Sequence, residues 1–107
     1  MIPLAVPNLD GNERKYLNQC IDTTFVSSVG EFVTRLETMG AEICGTKYSV
    51  ATSAGTTGLH LALMGAGVQA GDLVIIPTFT FIATANAVCH AGATPWLMDV
   101  DEEDEEE

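Results

Sequence analysis

An α/β fold is what this sequence predicts, and three observations carry the prediction. Three short apolar runs, "YSVAT", "DLVIIP" and "TPWLMDV", are separated by two segments of about a dozen residues, "TTGLHLALMGAG" and "TFIATANAVCHAG". Continuous apolar strands alternating with helices of that length indicate βαβ units and a mostly parallel sheet with helices on both faces. Upstream lie two segments with helical periodicity and start signals. At 107 residues and 47% hydrophobic, the chain has enough apolar surface to bury a core without staples.

The first upstream segment, "LDGNERKYLNQCID", places Asp10 three residues before Glu13. That is a capping-box spacing and predicts a helix starting near Gly11. The second, "SSVGEFVTRLETMGAEICG", repeats the device with Ser28 and Glu31. In it Phe32, Leu36, Met39 and Ile43 recur at helical spacing before Gly45 offers a stop. Trp96 is expected to pack between sheet and helix.

The charge is unevenly divided. Residues 99–107, "DVDEEDEEE", hold eight of the fifteen acids, leaving seven acids against four bases in residues 1–98. The body is therefore only mildly acidic and offers no basic stripe for phosphates, which argues against nucleic acid as a partner. Residues 1–101 read as one domain and 102–107 as a solvated acidic tail. Cys20, Cys44 and Cys89 have no metal-ligand or C-x-x-C spacing and read as small buried apolar residues in a reducing compartment. No metal site is expected. "MIPLAVPNLDGNE" shows neither a signal peptide nor a membrane span, so the expected location is the cytoplasm.

Chemistry concentrates at "SAGTTGLHLAL". A strand ending near Thr52 or Ser53, a turn through Ala54 and Gly55 and a helix from Thr56 would leave backbone N–H groups pointing out of the helix end. Gly55 permits close approach of an anion, Thr56 and Thr57 add hydroxyls, and the helix dipole favours negative charge by up to about 2 kcal/mol. The competing reading is a plain cap by Ser53 or Thr56, a stabilisation of about 1 kcal/mol. No nucleotide fingerprint decides between them, since the stretch is neither a P-loop nor G-x-G-x-x-G. His60, four residues after Thr56, reads as a satisfied core histidine.

Residues 52–101, with their small-Gly-Thr turn, "GD-x-V-x-x-P" and "TFIATAN", resemble the N-terminal block of the DegT/DnrJ/EryC1/StrS family. Its members are pyridoxal-phosphate-dependent aminotransferases that aminate nucleotide-linked keto-sugars. The upstream "IPLAVPNLDGNERKYLNQCIDTTFVSSVGEFVTRLE" resembles the start of members acting on UDP- or GDP-linked 4-keto sugars.

The resemblance implies the N-terminal part of the large domain of a fold-type-I transferase, with pyridoxal phosphate as cofactor. It assigns the phosphate cup to Ala54, Gly55, Thr56 and Thr57. Phe81 takes the position of the aromatic residue set against the pyridine ring, with Thr84 and Asn86 as weaker neighbours. Ser27 and Ser28, in "TTFVSSVG", fall where relatives approach the substrate. It also implies a homo-oligomer, a role in polysaccharide biosynthesis, and an amino donor such as glutamate.

Transamination needs a lysine that captures the cofactor and an acid that keeps the pyridine nitrogen protonated. In the family both lie downstream of this block. Lys15 and Lys47, the lysines of this chain, match neither position, and Asp99 and Asp101 fall at the end of the third strand. No catalytic residue is assigned, and the isolated chain is expected to be inactive. The alternatives are a non-catalytic module binding phosphate or a nucleotide-sugar, or a self-associating structural fragment. Apolar strands with unpaired edges point to association in any of the three cases.

Overall fold

The computed structural model describes residues 5–99, and the chain divides into two compact units, Met1–Val50 and Ala51–Glu107. The acidic tail expected at 102–107, and Asp101 beside it, lie outside the described residues.

In the first unit the described elements are α1 (Glu13–Asp22) and α2 (Glu31–Cys44). Tyr16 of α1 and Phe32 of α2 meet with ring centroids 5.2 Å apart, an aromatic contact worth about 1 kcal/mol beyond the area it buries. Both capping boxes fail. Each helix begins at its glutamate, behind Asn12 and Gly30 as N-caps without side-chain cap bonds. Glu13 and Glu31 thus occupy the first helical position, where they cannot reach back as a third-position residue does, although their charge still complements the dipole. The Asp10 N–H instead donates to Asn8 Oδ1 at 3.1 Å. The stop at Gly45 is as expected: it is left-handed at φ 64°, with its N–H donating to the Glu42 carbonyl at 3.2 Å.

The second unit contains α3 (Gly55–Gly65), β1 (Leu73–Pro77), α4 (Ile82–His90) and β2 (Thr94–Met98). β1 and β2 pair in parallel, in the register Leu73 with Thr94, Ile75 with Trp96 and Pro77 with Met98. With α4 as the crossover this is the expected βαβ unit. Thr94 N–H donates to the Asp72 carbonyl at 2.8 Å and Thr78 N–H to that of Met98 at 2.8 Å, which ties the ladder at both ends.

The core lies between the strands and α4. Ile76, Val88 and Ala93 are buried, and Leu63, Val68, Val74 and Ala85 pack against them. α4 packs on the strands and α3 packs on α4. Among the described residues this covers one face of the sheet. Leu73, Ile75, Trp96 and Met98, which share the other face by alternation and register, are exposed. Trp96, expected between sheet and helix, is therefore 53% exposed, because its strand position points it away from α4.

The first expected strand, "YSVAT", forms no strand. The run lies across the division between the two units, and an apolar alternation becomes a strand only when a neighbouring strand takes its backbone groups. The cysteines also depart from expectation. All are free thiols, but Cys20 is half-buried while Cys44 and Cys89, close to the C-terminal ends of α2 and α4, are exposed. Among the described residues no helix is long and apolar enough to cross a membrane.

Candidate functional site

The candidate anion seat is the first turn of α3. Ala54 is its N-cap, in extended conformation at φ −160° and ψ 160°, and no side chain caps the helix. Alanine has no oxygen with which to do so. The plain-cap reading therefore finds no support in the hydroxyl positions. Ser53 Oγ lies 3.4 Å from Thr57 Oγ1 rather than on a first-turn N–H. Thr52 Oγ1 turns to the Ala54 carbonyl at 3.2 Å.

Thr57 braces the turn. Its hydroxyl donates to the Ala54 carbonyl at 2.7 Å and accepts from the Ala54 N–H at 3.2 Å. That leaves the α3 N–H groups at Gly55, Thr56 and Thr57 as the donors at the helix end, the first intrahelical bond running from Gly58 N–H to the Ala54 carbonyl at 3.0 Å. A methyl group added at Gly55 would meet nothing within 4 Å, so the approach to these donors is open. Thr56 is half-buried beside them. The unit Ala51–Glu107 has no lysine or arginine, so what this unit offers an anion at the helix end is neutral donors and the dipole of an eleven-residue helix.

Phe81 is the N-cap of α4 and is 79% exposed. Its ring is not part of the core. Its carbonyl accepts the Thr84 N–H at 3.0 Å, and Thr84 Oγ1 lies 3.2 Å from Thr80 Oγ1. Thr84 is half-buried and Asn86 exposed. Thr80, not singled out from the sequence, and Thr78, whose hydroxyl donates to the Met98 carbonyl at 3.0 Å, fix the loop that presents Phe81. The dense "TFTF" run is the only hint of this in the sequence, and it does not say which threonine bonds where.

In the first unit Ser27 accepts the Val29 N–H at 3.1 Å. It lines a cavity of about 250 Å³ with Gln19, Phe25, Val29 and Phe32 among its walls. Ser28 is exposed and does not cap α2, whose N-cap is Gly30. His60 is half-buried on α3, and its ring centroid lies 5.8 Å from that of His90 on α4. Lys15 and Lys47 are exposed and stand near tyrosine rings, at 6.0 Å from Tyr16 and 5.2 Å from Tyr48.

Comparison with known proteins places the chain in a family. A GDP-perosamine synthase of Caulobacter vibrioides is 52% identical over 100 residues, covering 94% of this chain and 27% of that protein. A GDP-perosamine synthase of Vibrio cholerae is 48% identical over 103 residues, 96% of this chain and 28% of that protein. The chain thus spans little more than a quarter of the length of these relatives. Among solved structures, an aminotransferase from Psychrobacter cryohalolentis superposes with a TM-score of 0.80 at 34% identity, covering 94% of this chain and 26% of that one. A GDP-4-keto-6-deoxy-D-mannose-3-dehydratase from Escherichia coli, with bound hydrated PLP, superposes at 0.76 and 28% identity, covering 92% of this chain and 27% of that one. The profile of the DegT/DnrJ/EryC1/StrS aminotransferase family matches residues 7–105, and the chain belongs to that family.

Proposed function

We propose that this chain is the cofactor-seating N-terminal portion of a pyridoxal-phosphate-dependent aminotransferase that aminates a nucleotide-linked keto-sugar, with a GDP-linked sugar favoured by the perosamine synthase relatives. The observation that carries the reading is the first turn of α3, whose N-cap is an alanine and whose approach at Gly55 is open. These residues fit the phosphate of the cofactor. When bound, pyridoxal phosphate supplies the electron sink that allows an amino group to pass between carbons.

The chain's own residues have positioning roles. Ala54, Gly55, Thr56 and Thr57 hold the phosphate. Phe81 lies against the ring and keeps it oriented, and Thr84 steadies the loop before it. Ser27 and Ser28 contribute to the substrate side, Ser27 from a cavity wall. The amino donor is an amino acid such as glutamate. Neither Lys15 nor Lys47 matches the position of the family's cofactor lysine, so we assign neither a catalytic role and expect the 107 residues alone to show no turnover. We also propose that the working protein is a cytoplasmic homo-oligomer.

The test is titration of pyridoxal phosphate into the chain and its Gly55→Asp variant, followed by borohydride reduction and peptide mapping. Aspartate at the first helical position interacts favourably with the dipole and meets open space, so the variant keeps its fold. Saturable binding weakened by about tenfold or more in the variant is expected, since the new carboxylate occupies the anion's place and repels it. Equal binding by both proteins overturns the cup assignment, and measurable turnover by the chain overturns its inactivity.

A further inference from the structure

The chain contains two histidines, and the fold of the second unit brings them together from positions thirty residues apart. We infer that His60 and His90 form a divalent transition-metal site that pins α3 to α4. Their ring centroids are 5.8 Å apart and the ring planes are inclined at 54°. Two imidazoles on one tetrahedral Zn²⁺, with Zn–N bonds of about 2.1 Å, have centroids about 5 Å apart. The two separations differ by about 1 Å, and the site requires one ring to turn so that a nitrogen of each faces a common ion. His90 has that freedom, being exposed and the last residue of α4, whereas half-buried His60 is held by the packing of α3 on α4.

Charge favours the same occupant. Residues 51–107 carry nine of the chain's fifteen acids, Asp72, Asp99 and the seven within 101–107, and none of its four bases. That unit therefore supplies no ammonium or guanidinium to compete with a cation. Among the described residues no group of three or more His, Cys, Asp or Glu converges, so the site has two protein ligands and leaves the other coordination positions to water. Imidazole suits zinc, nickel and copper rather than magnesium or calcium. α3 opens at the candidate phosphate cup and α4 at Phe81, so the ion would fix the two helices that carry the cofactor-facing residues. The inference goes beyond the proposed function and does not depend on it.

Thirty residues of unfolded chain separate the two ligands, so an ion that chelates both binds the folded unit and stabilises it by mass action. Thermal unfolding at about 1 mM Zn²⁺ is expected to raise Tm by roughly 5 °C, reversibly with EDTA. His60→Gln and His90→Gln, each compared with its own metal-free melt, are expected to lose the rise. Because only two imidazoles are present, Ni²⁺ should broaden both ring proton signals of the unaltered chain together, a reading that survives even if His60→Gln does not fold. No rise in the unaltered chain, a rise retained in His90→Gln, or broadening of fewer than two imidazoles overturns the site.

Discussion

Thr56 and Thr57 are adjacent and chemically identical, yet the structure uses them differently. Thr57 turns its hydroxyl back on Ala54, donating at 2.7 Å and accepting at 3.2 Å, while Thr56 remains half-buried at the open helix end. Thr57→Val keeps the side-chain shape and removes both bonds. It is expected to destabilise the chain by about 1 kcal/mol, measured as a lower urea midpoint at unchanged slope. An unchanged midpoint would show that water replaces the hydroxyl without loss. A glycine and two threonines at the start of an apolar helical run mark a helix end with hydroxyls nearby, which spacing alone leaves open between an anion seat and a plain cap. Which hydroxyl braces the turn was not legible, because that depends on side-chain torsions that spacing does not encode. Phe81 is nominated as a ring-facing residue by the family motif alone. On hydrophobicity alone it reads as core, and its exposure follows from its place at the N-cap of α4.

At the scale of elements, local signals succeeded where the chain itself supplied the partner. The βαβ segment carries strand, crossover helix and pairing strand within Leu73–Met98, and it formed as the alternation of runs implied. "YSVAT" carries the same apolar signal without a strand beside it and stays irregular. The two capping boxes failed by two residues of register, a shift that side-chain spacing cannot reveal because the backbone at Asn12 and Gly30 decides where each helix begins. The stop at Gly45 succeeded because its requirement is intrinsic to the residue. At φ 64° a side chain crowds its own backbone, and nothing else lies within 4 Å of an added Cβ, so the strain stands alone. Gly45→Ala is expected to cost about 1 kcal/mol, seen as a lower Tm. An unaltered or raised Tm would mean that α2 ends equally well without a left-handed residue.

At the scale of the whole chain, two features act together: the charge is concentrated toward its C-terminal end, and the second unit leaves a sheet face open. Leu73, Ile75, Trp96 and Met98 share that face, and a two-stranded sheet covered on one side is marginal in water. Acidic residues oppose association through repulsion, which salt screens, whereas the apolar face favours it and is insensitive to screening. The homo-oligomer we propose should therefore tighten with salt, opposite to an association driven by charge pairing. Ile75 is paired with Trp96 in the register and projects away from the core. Ile75→Lys consequently places a charge in the middle of the open face without disturbing Ile76 or Val88. Sedimentation velocity between about 1 and 100 µM is expected to show concentration-dependent association of the unaltered chain, with the single tryptophan reporting burial by a blue-shifted emission. In Ile75→Lys both effects are expected to weaken by about tenfold or more, the loss of about 1.4 kcal/mol or more. A monomer throughout that range, or association that resists the lysine and falls with salt, would remove the sheet face as the contact and leave charge as its cause.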